Sequence, residues 1–273
     1  MKTAVAGGTG LVGRQTVEAV RRVGHDPVVL ARSVGVDLTS GAGLAAALDG
    51  VDAVIDVTNT PSVNPDQVRA FFATVTGHLL AAERDAGVGH HVVLSIVGLD
   101  RLPDDGHYAG KRAQERLALS GPVAASVVRA TQFFDFAAQM VGWMRRGRSA
   151  VLPPLLLQPV AVTDVAEVLV EVAVGEPVNG IGELAGPETQ DLVDMARRTL
   201  AARGESLRLI PTWRGRYGVE MAGRGPAPRT GRADRAHHLR RLAHHPDLVR
   251  PVARYRQREV MRSTSAMRSV MGI

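Results

Sequence analysis

The residues of this chain best suited to chemistry lie near its N-terminus, where an apolar run meets a group of glycines. Residues 1–6 predict a short buried strand, residues 7–13 a tight turn and residues 16–23 an amphipathic helix. In such a unit the first glycine permits the turn, the third lets the backbone approach a pyrophosphate, and the last allows close packing of helix on strand. The helix N-terminus adds N–H groups and a positive dipole end. The sequence therefore predicts a dinucleotide phosphate site formed by Gly7, Thr9, Gly10, Leu11, Val12 and Gly13.

The elements that position this turn follow in a regular alternation of strands and helices up to residue 130. Strands are predicted over residues 27–31, 51–57, 92–95 and 123–129, and helices over residues 44–48, 68–86 and 111–120. Short apolar strands separated by helices are typical of a parallel sheet with helices on both faces. We therefore predict a Rossmann-type, doubly wound α/β fold. Right-handed crossovers bring the carboxyl ends of the strands to one edge, where ligands bind.

The residue after the second predicted strand, Arg32, bears on the choice of cofactor. An acidic side chain there would bond a ribose 2′-hydroxyl, whereas a planar guanidinium pairs with the oxygens of a 2′-phosphate. Arg32 therefore predicts a preference for NADP(H), with NAD(H) possible, and the alternative is a solvated surface arginine. Asp37 and Leu38 follow as candidates to flank the adenine, although Asp37 is equally compatible with an ordinary turn.

Small polar residues follow the third and fourth predicted strands. Thr58 and Asn59 are candidates to edge the cofactor ribose, and the alternative is a plain loop. Ser95 ends the fourth strand, and the run Gly106-His107-Tyr108-Ala109-Gly110-Lys111 opens the next helix. We expect these residues at the same edge of the sheet as the glycine turn.

The pattern loosens after residue 130, which indicates a smaller lobe. Helices are predicted over residues 133–146, 163–174 and 189–202, with Thr163 as the N-cap of the second, and strands over residues 181–184 and 207–210. We predict three parts: a dinucleotide-binding core at residues 1–150, a small substrate-side lobe packed on it at residues 151–223, and a basic tail at residues 224–273.

The composition excludes several classes of protein. The 273 residues include no cysteine, which excludes disulfides and thiolate metal sites, and no apolar run reaches the length of a membrane span. The first predicted strand begins at Met1 and leaves no room for a signal peptide, so we expect a cytoplasmic protein without a membrane partner. None of the nine histidines has a ligand spacing with supporting carboxylates, and no metal site is predicted.

The net charge of +6 is concentrated near the C-terminus. Residues 211–273 contain 14 arginines and 4 acidic residues, while residues 1–210 contain 19 basic and 23 acidic residues. A basic segment can bind nucleic acid, but this one has few aromatic residues and no known binding module, so no nucleic-acid partner is expected.

Another hypothesis explains the tail as a shift of the reading frame near Gly223. With G/C-rich codons, residues 224–243 read one base later can encode the peptide GALLPGPGGRIAPTTFDAWL. In that case the tail was not selected to pack, and we expect it to be poorly ordered. The coding DNA tests this hypothesis directly.

The motifs, taken in order, resemble an atypical short-chain dehydrogenase/reductase of the NmrA-like, NAD(P)H-binding group. The resemblance covers roughly residues 1–223. It depends on the glycine turn, on Leu94-Ser95-Ile96-Val97-Gly98, on Lys111 with Glu115, on Val128-Arg129-Ala130-Thr131-Gln132-Phe133 and on Leu184-Ala185-Gly186-Pro187-Glu188. In the wider superfamily a serine and a tyrosine flank the substrate carbonyl. A lysine four positions after the tyrosine orients the cofactor ribose and lowers the tyrosine pKa. By this resemblance Ser95 takes the serine role and Lys111 the lysine role, and both also contact the cofactor.

The tyrosine position departs from the family pattern. His107 stands four residues before Lys111, and Tyr108 stands three before it. Positions three and four apart share a helix face, so Tyr108 remains a candidate acid. His107 is a second candidate, because the ordinary pKa of histidine lies near neutrality. In a third interpretation neither acts, and the chain holds cofactor without strong catalysis.

The resemblance implies an NADP(H)-dependent oxidoreductase that transfers hydride to a small carbonyl or quinone-like substrate, with Ser95, Tyr108 and Lys111 as its catalytic residues. The alternative is a non-catalytic redox sensor of NmrA type, which binds NAD(P) and signals through a protein partner. The departure at the tyrosine position keeps both hypotheses open.

Overall fold

The centre of the protein is a parallel sheet. The computed structural model describes residues 1–102 and 106–214. The strands of this sheet within the described residues are β1 (Lys2–Ala6), β2 (Asp26–Leu30), β3 (Ala53–Asp56), β4 (His90–Ile96), β5 (Ala125–Ala130) and β9 (Gly180–Leu184). They pair in parallel in the order β2-β1-β3-β4-β5-β9, so strand addition changes sides at β1. The predicted Rossmann-type α/β fold is confirmed.

Helices cover both faces of the sheet. On one face lie α1 (Leu11–Arg22) and α6 (Val162–Val174), and on the other lie α3 (Pro65–Ala86) and α4 (Gly106–Ser120), with the short α2 (Leu44–Ala47) against α3. Strand side chains alternate between the two cores: Ile55 and Val92 pack with α6, whereas Val54 packs with α3. Because both faces are covered, the strands are apolar almost throughout.

Helices α3 and α4 pack closely because Gly110 has no side chain. A Cβ on Gly110 would lie 2.5 Å from Cδ2 of Phe72 and 2.8 Å from Cγ1 of Val68. Phe72 is fully buried, so it has little room to move away from a larger residue. The close approach brings the polar side chains of α4 over the carboxyl ends of β3 and β4.

The remaining elements form a smaller lobe with its own core. They are α5 (Phe136–Met144), β6 (Arg145–Arg146), β7 (Ser149–Leu152), β8 (Leu156–Leu157), β10 (Gln190–Asp191), α7 (Leu192–Ala202) and β11 (Arg208–Pro211). The strands make a three-stranded sheet, β11-β7-β6, and a two-stranded pair, β10-β8. Met140, Leu152, Leu192 and Leu200 are among the buried side chains that hold α5, β7 and α7 together. No described helix is both long and apolar enough to cross a membrane.

Two local predictions for this lobe are wrong. The helix predicted to continue to residue 146 ends at Met144, because Gly147, with φ of +58°, turns the chain into a hairpin of β6 and β7. Thr163 does not cap α6: the N-cap is Ala161, and Thr163 lies inside the first turn. The predicted division at residue 150 stays a prediction, although α6 and β9, which follow it, belong to the main sheet and its helical layer. The predicted tail, residues 224–273, lies outside the described residues.

Candidate functional site

The glycine turn has the shape that a phosphate site needs. Gly7 has φ of +80°, a conformation that favours glycine, and a Cβ on Gly13 would lie 2.1 Å from the Gly7 carbonyl oxygen. Gly10 is the N-cap of α1, and no described side chain caps this helix. Thr9, Gly10 and Leu11 are exposed, so the helix N-terminus is open to solvent. An anion can bind the N–H groups of the first turn, and the residues present fit a dinucleotide pyrophosphate.

The turn follows β1 and lies next to the end of β3, at the point where the order of strand addition reverses. A Cβ on Gly7 would lie 3.2 Å from the carbonyl oxygen of Val57. The N–H of buried Thr58 donates to Oδ1 of Asp56 at 2.9 Å, and Thr58 Oγ1 has no hydrogen-bond partner among the described residues. Asn59 is exposed in the loop that follows. The glycine turn and Thr58 therefore occupy one edge of the sheet, as the sequence predicts.

The residues after β2 follow the strand that pairs with β1 on the side opposite β3. Arg32 is exposed and begins a single 3-10 turn, Arg32–Val34. Asp37 Oδ1 accepts hydrogen bonds from the backbone N–H of Thr39 at 2.9 Å and from its hydroxyl at 2.6 Å. These bonds, chiefly the one from the hydroxyl, lower the pKa of Asp37, with a smaller contribution from the charge of Arg32. Asp37 thus forms a local turn with Thr39, and its place beside the adenine stays a prediction. Leu38 is half-buried against the core around α3.

Ser95, near the end of β4, is buried beside a cluster of charged side chains. It is 4% exposed, and its Oγ has no hydrogen-bond partner among the described residues. Its neighbour across the sheet is Arg129 of β5. The Arg129 guanidinium donates to Glu115 at 2.7 and 2.8 Å and to Asp100 at 2.6 and 3.0 Å. Because both carboxylates engage this guanidinium, the unpaired Ser95 hydroxyl is the group here that most clearly needs a ligand.

Lys111 lies at the carboxyl ends of β3 and β4. Its ammonium donates to the carbonyl oxygen of Leu94 at 2.9 Å, to Oε1 of Gln114 at 2.8 Å and, at the long distance of 3.5 Å, to the carbonyl oxygen of Thr58. The ring of Phe72 covers it, with Nζ 4.8 Å from the ring centroid. The structure thus places Lys111 at the carboxyl ends of two neighbouring strands, close to Ser95 of β4 and to Thr58, which follows β3.

Burial lowers the pKa of Lys111 to about 8, because a buried ammonium loses its hydration. The negative charges of Asp56 and Glu115 oppose this decrease. Gln114 links the first of these carboxylates to the lysine: its Nε2 donates to Oδ2 of Asp56 at 2.7 Å. The cation at the strand ends is therefore held by a chain of buried polar groups that reaches from α4 to β3.

The two candidate acids have different surroundings. The His107 ring makes an edge contact with Phe72, with centroids 5.7 Å apart, and it lies 6.2 Å from the ring of Tyr108. Burial, and then the charge of Lys111, lower the pKa of His107 to about 4. Its imidazole is consequently neutral near pH 7 and carries no acidic proton comparable to that of an imidazolium. Tyr108 is half-buried on the same turn of α4.

Sequence reasoning missed Gln114, which bonds Lys111, and Asp56, which bonds Gln114. Gln114 follows Lys111 by three positions and so shares its helix face, which is a signal that the spacing alone contains. Asp56 ends an otherwise apolar buried strand and has no exposed surface, and a buried acid of this kind requires partners. Neither signal says which partner is chosen, because the two residues are 58 positions apart.

Two of the motif segments meet where the lobe joins the sheet. The N–H of Thr131 donates to the carbonyl oxygen of Leu184 at 3.0 Å, and its hydroxyl donates to the carbonyl oxygen of Gln158 at 2.6 Å. Gln158 Nε2 donates to the carbonyl oxygen of Gly186 at 2.6 Å. A Cβ on Gly186 would lie 1.7 Å from the carbonyl oxygen of Pro159, so this position requires glycine.

Among the described residues, no group of three or more His, Asp or Glu side chains has the geometry of a metal site.

Comparisons with known proteins agree with this architecture. No protein-family model matches the chain. A photosystem II assembly factor, Ycf39, of Synechocystis is 30% identical over 117 residues, which cover 38% of this chain and 36% of that protein. The chain therefore spans about a third of the length of this relative.

Solved structures resemble the chain over more of its length. A UDP-N-acetylglucosamine 4-epimerase of Bacillus cereus has a TM-score of 0.63 at 21% identity, covering 78% of this chain and 85% of its own. A UDP-glucose 4-epimerase of Thermus thermophilus in complex with NAD has 0.63 at 20% identity, covering 85% and 95%. A short-chain dehydrogenase/reductase superfamily protein of Agrobacterium tumefaciens with bound NAD has 0.59 at 19% identity, covering 78% and 85%. These likenesses establish the fold.

Proposed function

We propose that this chain, which has the fold of the short-chain dehydrogenase/reductase superfamily, is an NADP(H)-dependent oxidoreductase acting on a small carbonyl or quinone-like substrate. The observation that carries the proposal is the position of Lys111. Its buried ammonium lies within 2.9 Å of the carbonyl oxygen preceding Ser95 and 3.5 Å from that of Thr58. A cation and two unpaired buried hydroxyls at the ligand-binding edge of a Rossmann sheet form a site that suits a sugar hydroxyl and a reacting carbonyl.

The glycine turn supports a dinucleotide as the cofactor. Its open helix N-terminus suits a pyrophosphate, and two proteins of the same fold, from Thermus thermophilus and Agrobacterium tumefaciens, were solved with NAD. The preference for NADP(H) is supported by Arg32, an exposed cation directly after β2, at the place where a 2′-phosphate would need a partner. When bound, the reduced cofactor supplies the hydride.

Each candidate catalytic residue has a role that its surroundings allow. Ser95 Oγ, which has no partner among the described residues, would donate a hydrogen bond to the substrate oxygen as negative charge develops there. Lys111 would hold a ribose hydroxyl with the N–H that makes only the long contact to Thr58. Tyr108 would donate the proton to the substrate oxygen, because His107 is neutral near pH 7.

One observation favours the second function, a redox sensor that binds NAD(P) without turnover. The Lys111 ammonium already has acceptors in Leu94, Gln114 and Thr58, and the residue four positions before it is a histidine. A lysine whose N–H groups all bond protein acceptors would lower the pKa of a neighbouring tyrosine less. Such a protein would report the state of its cofactor to a protein partner instead of consuming it.

A binding and turnover assay separates these functions. NADPH and NADH are titrated by fluorescence, and the bound cofactor is then offered a panel of quinones and carbonyl compounds while its absorbance is followed. Turnover that is abolished by Lys111→Ala is the expected result. Tight binding without oxidation of the cofactor by any compound would favour the sensor, and absence of binding to either nucleotide would contradict both functions.

A further inference from the structure

The Lys111 ammonium is joined to a buried carboxylate by a single side chain. Gln114 Oε1 accepts from Lys111 at 2.8 Å, and Gln114 Nε2 donates to Asp56 Oδ2 at 2.7 Å. Asp56 Oδ1 then accepts from the N–H of Thr58 at 2.9 Å. All four groups are buried, and Asp56 and Gln114 have no exposed surface at all. The series of bonds connects α4 to the end of β3 in a defined direction.

The direction of these bonds follows from the chemistry of their ends. An ammonium can only donate and a carboxylate can only accept, so the side chain between them must offer an acceptor at one branch and a donor at the other. The amide of Gln114 does this in one orientation only, with its oxygen toward Lys111. A glutamate at this position would face Asp56 with an acceptor, and a methionine would remove one bond from Lys111 and one from Asp56.

We propose that Gln114, oriented by Asp56, is the positioning residue that holds the Lys111 ammonium at the ends of β3 and β4, where it serves the cofactor. This inference rests on the proposed function. Without Gln114, Lys111 would keep only one short bond. A lysine has four rotatable carbon–carbon bonds and loses much conformational freedom on being fixed, so a second short bond is needed to hold it in one position. Gln114 and the carbonyl oxygen of Leu94 provide the two short bonds, and the third N–H makes only the long contact to Thr58.

Other groups face the same ammonium and bear on its titration. Glu115 on α4 attracts it, as Asp56 on β3 does, and the ring face of Phe72 on α3 also favours the charged form, while burial favours the neutral form. His107 on α4 is neutral near pH 7 and adds no charge. Beyond Asp56, β4 contributes His91, whose Nδ1 bonds the buried carboxylate of Glu83 on α3 at 2.8 Å. Loss of the Gln114 acceptor should therefore shift the ammonium toward its neutral form without altering any of these charges.

The test uses charge and bond direction separately. Gln114→Met removes both bonds and changes no charge. Asp56→Asn and Gln114→Glu each place two like partners face to face, donors in the first and acceptors in the second. The double variant Asp56→Asn with Gln114→Glu restores a complete series with the same net charge. In it the new amide at position 56 can donate to the new carboxylate at position 114, and that carboxylate can accept from Lys111. Gln139→Met, on the exposed side of α5, is the control for the methionine substitution.

The pKa of Lys111 is measured in the full chain by NMR of protein labelled at lysine, which gives few signals because the sequence contains only Lys2 and Lys111. Lys2→Met assigns them. We expect Gln114→Met to lower the pKa of Lys111 by about one unit, and the double variant, whose carboxylate bonds Lys111 directly, to raise it to the wild-type value or above. This readout needs no cofactor and no turnover, so it decides the inference even if the proposed function fails.

Kinetics test whether the position of Lys111 matters for the reaction. We expect Gln114→Met to lower kcat/KM by at least about 10-fold and to move the alkaline limb of its pH profile to lower pH, with recovery in the double variant. A Lys111 pKa and a pH profile unchanged in Gln114→Met would overturn the inference. A double variant whose kcat/KM is no higher than that of either single variant, Asp56→Asn or Gln114→Glu, would also overturn it. If the wild type shows no turnover but the pKa of Lys111 changes as expected in the variants, only the proposed function is overturned.

Discussion

The two ends of the proposed cofactor site are formed by different parts of the chain, backbone at one end and side chains at the other. The phosphate end uses backbone alone: Gly7 and Gly13 approach so closely that a Cβ on Gly13 would lie 2.1 Å from the Gly7 carbonyl oxygen, and no described side chain caps α1. The other end, which we propose as the catalytic end, uses buried side chains, with Lys111 held by Gln114 and the end of β4. Steric necessity defines the first end, and complementary charge and hydrogen bonding define the second.

This difference predicts how each end fails. At the phosphate end there is no space for a methyl group on Gly13, because the nearest atoms belong to the backbone and cannot rotate away as a side chain can. At the catalytic end a substitution leaves the shape intact but leaves a partner unpaired or wrongly charged. The first kind of change should affect stability and all cofactor binding together. The second should affect rate and pH dependence first.

The largest effect is expected for Gly13→Ala. The new Cβ would meet the Gly7 carbonyl oxygen and Cα of Gly8, so the turn must open, and we expect a loss of about 3 kcal/mol or more in the free energy of unfolding together with loss of cofactor binding. Gly142→Ala in α5 is the control, since a Cβ there meets no described atom within 4 Å. It should stabilise the protein by about 0.5–1 kcal/mol. Urea unfolding measures both, and equal effects would contradict the steric explanation.

At the catalytic end the next largest effect is expected for Tyr108→Phe. If the phenol donates the proton, its loss should lower kcat by about 100-fold or more while the Kd for NADPH changes little. His107→Gln should lower kcat by less than about 5-fold, because an imidazole with a pKa of about 4 is not a proton donor near pH 7. Steady-state kinetics on the two variants measure this difference. The opposite order would assign the proton to His107.

The sequence was informative about these two ends to different degrees. The strand, the turn and the helix of residues 1–22 are predicted from adjacent residues, because a steric requirement for glycine is visible as glycine itself. The parallel sheet follows from the alternation of apolar strands with helices, and the structure confirms it. The hairpin of β6 and β7 was missed, since a two-residue strand of two arginines has no apolar pattern to predict it.

The polar network is beyond prediction from local pattern for a physical reason. Gln114 bonds Lys111 three residues away and Asp56 fifty-eight residues away, and only the packing of α4 on the sheet brings the second pair together. That packing depends in turn on Gly110, whose lack of a side chain admits Phe72. A glutamine in a helix is ordinarily a solvated residue, and its spacing of three positions from Lys111 does not show that this one is buried.

The burial of Lys111 should also appear in the dependence of stability on pH. The folded-state pKa is about 8 and the ordinary value is 10.5, so between these values the unfolded chain binds more protons than the folded one. Stability of the wild type should therefore rise with pH relative to Lys111→Met over this range, by at most about 1.4 kcal/mol per pH unit. Below about pH 7 the lysine is protonated in both states, and this dependence on pH disappears. Chemical unfolding of both proteins from about pH 7 to about pH 10.5 measures it, and a constant difference would show that Lys111 is not desolvated.

The smallest effect concerns the choice between NADP and NAD, which a phosphate site made of backbone cannot determine. NADP and NAD share the pyrophosphate, so the glycine turn binds both alike, and any preference must come from a side chain near the adenosine ribose. We expect Arg32→Ser to weaken NADPH about 10-fold and NADH less than about 2-fold, the loss of one charge-assisted hydrogen bond. Arg22→Ser, which removes an exposed arginine paired with Glu167 at the other end of α1, should change neither. Fluorescence titration of both cofactors measures the ratio. If Arg32→Ser weakened the two equally, Arg32 would act on the shared part of the cofactor, and the preference for NADP(H) would have no residue to support it.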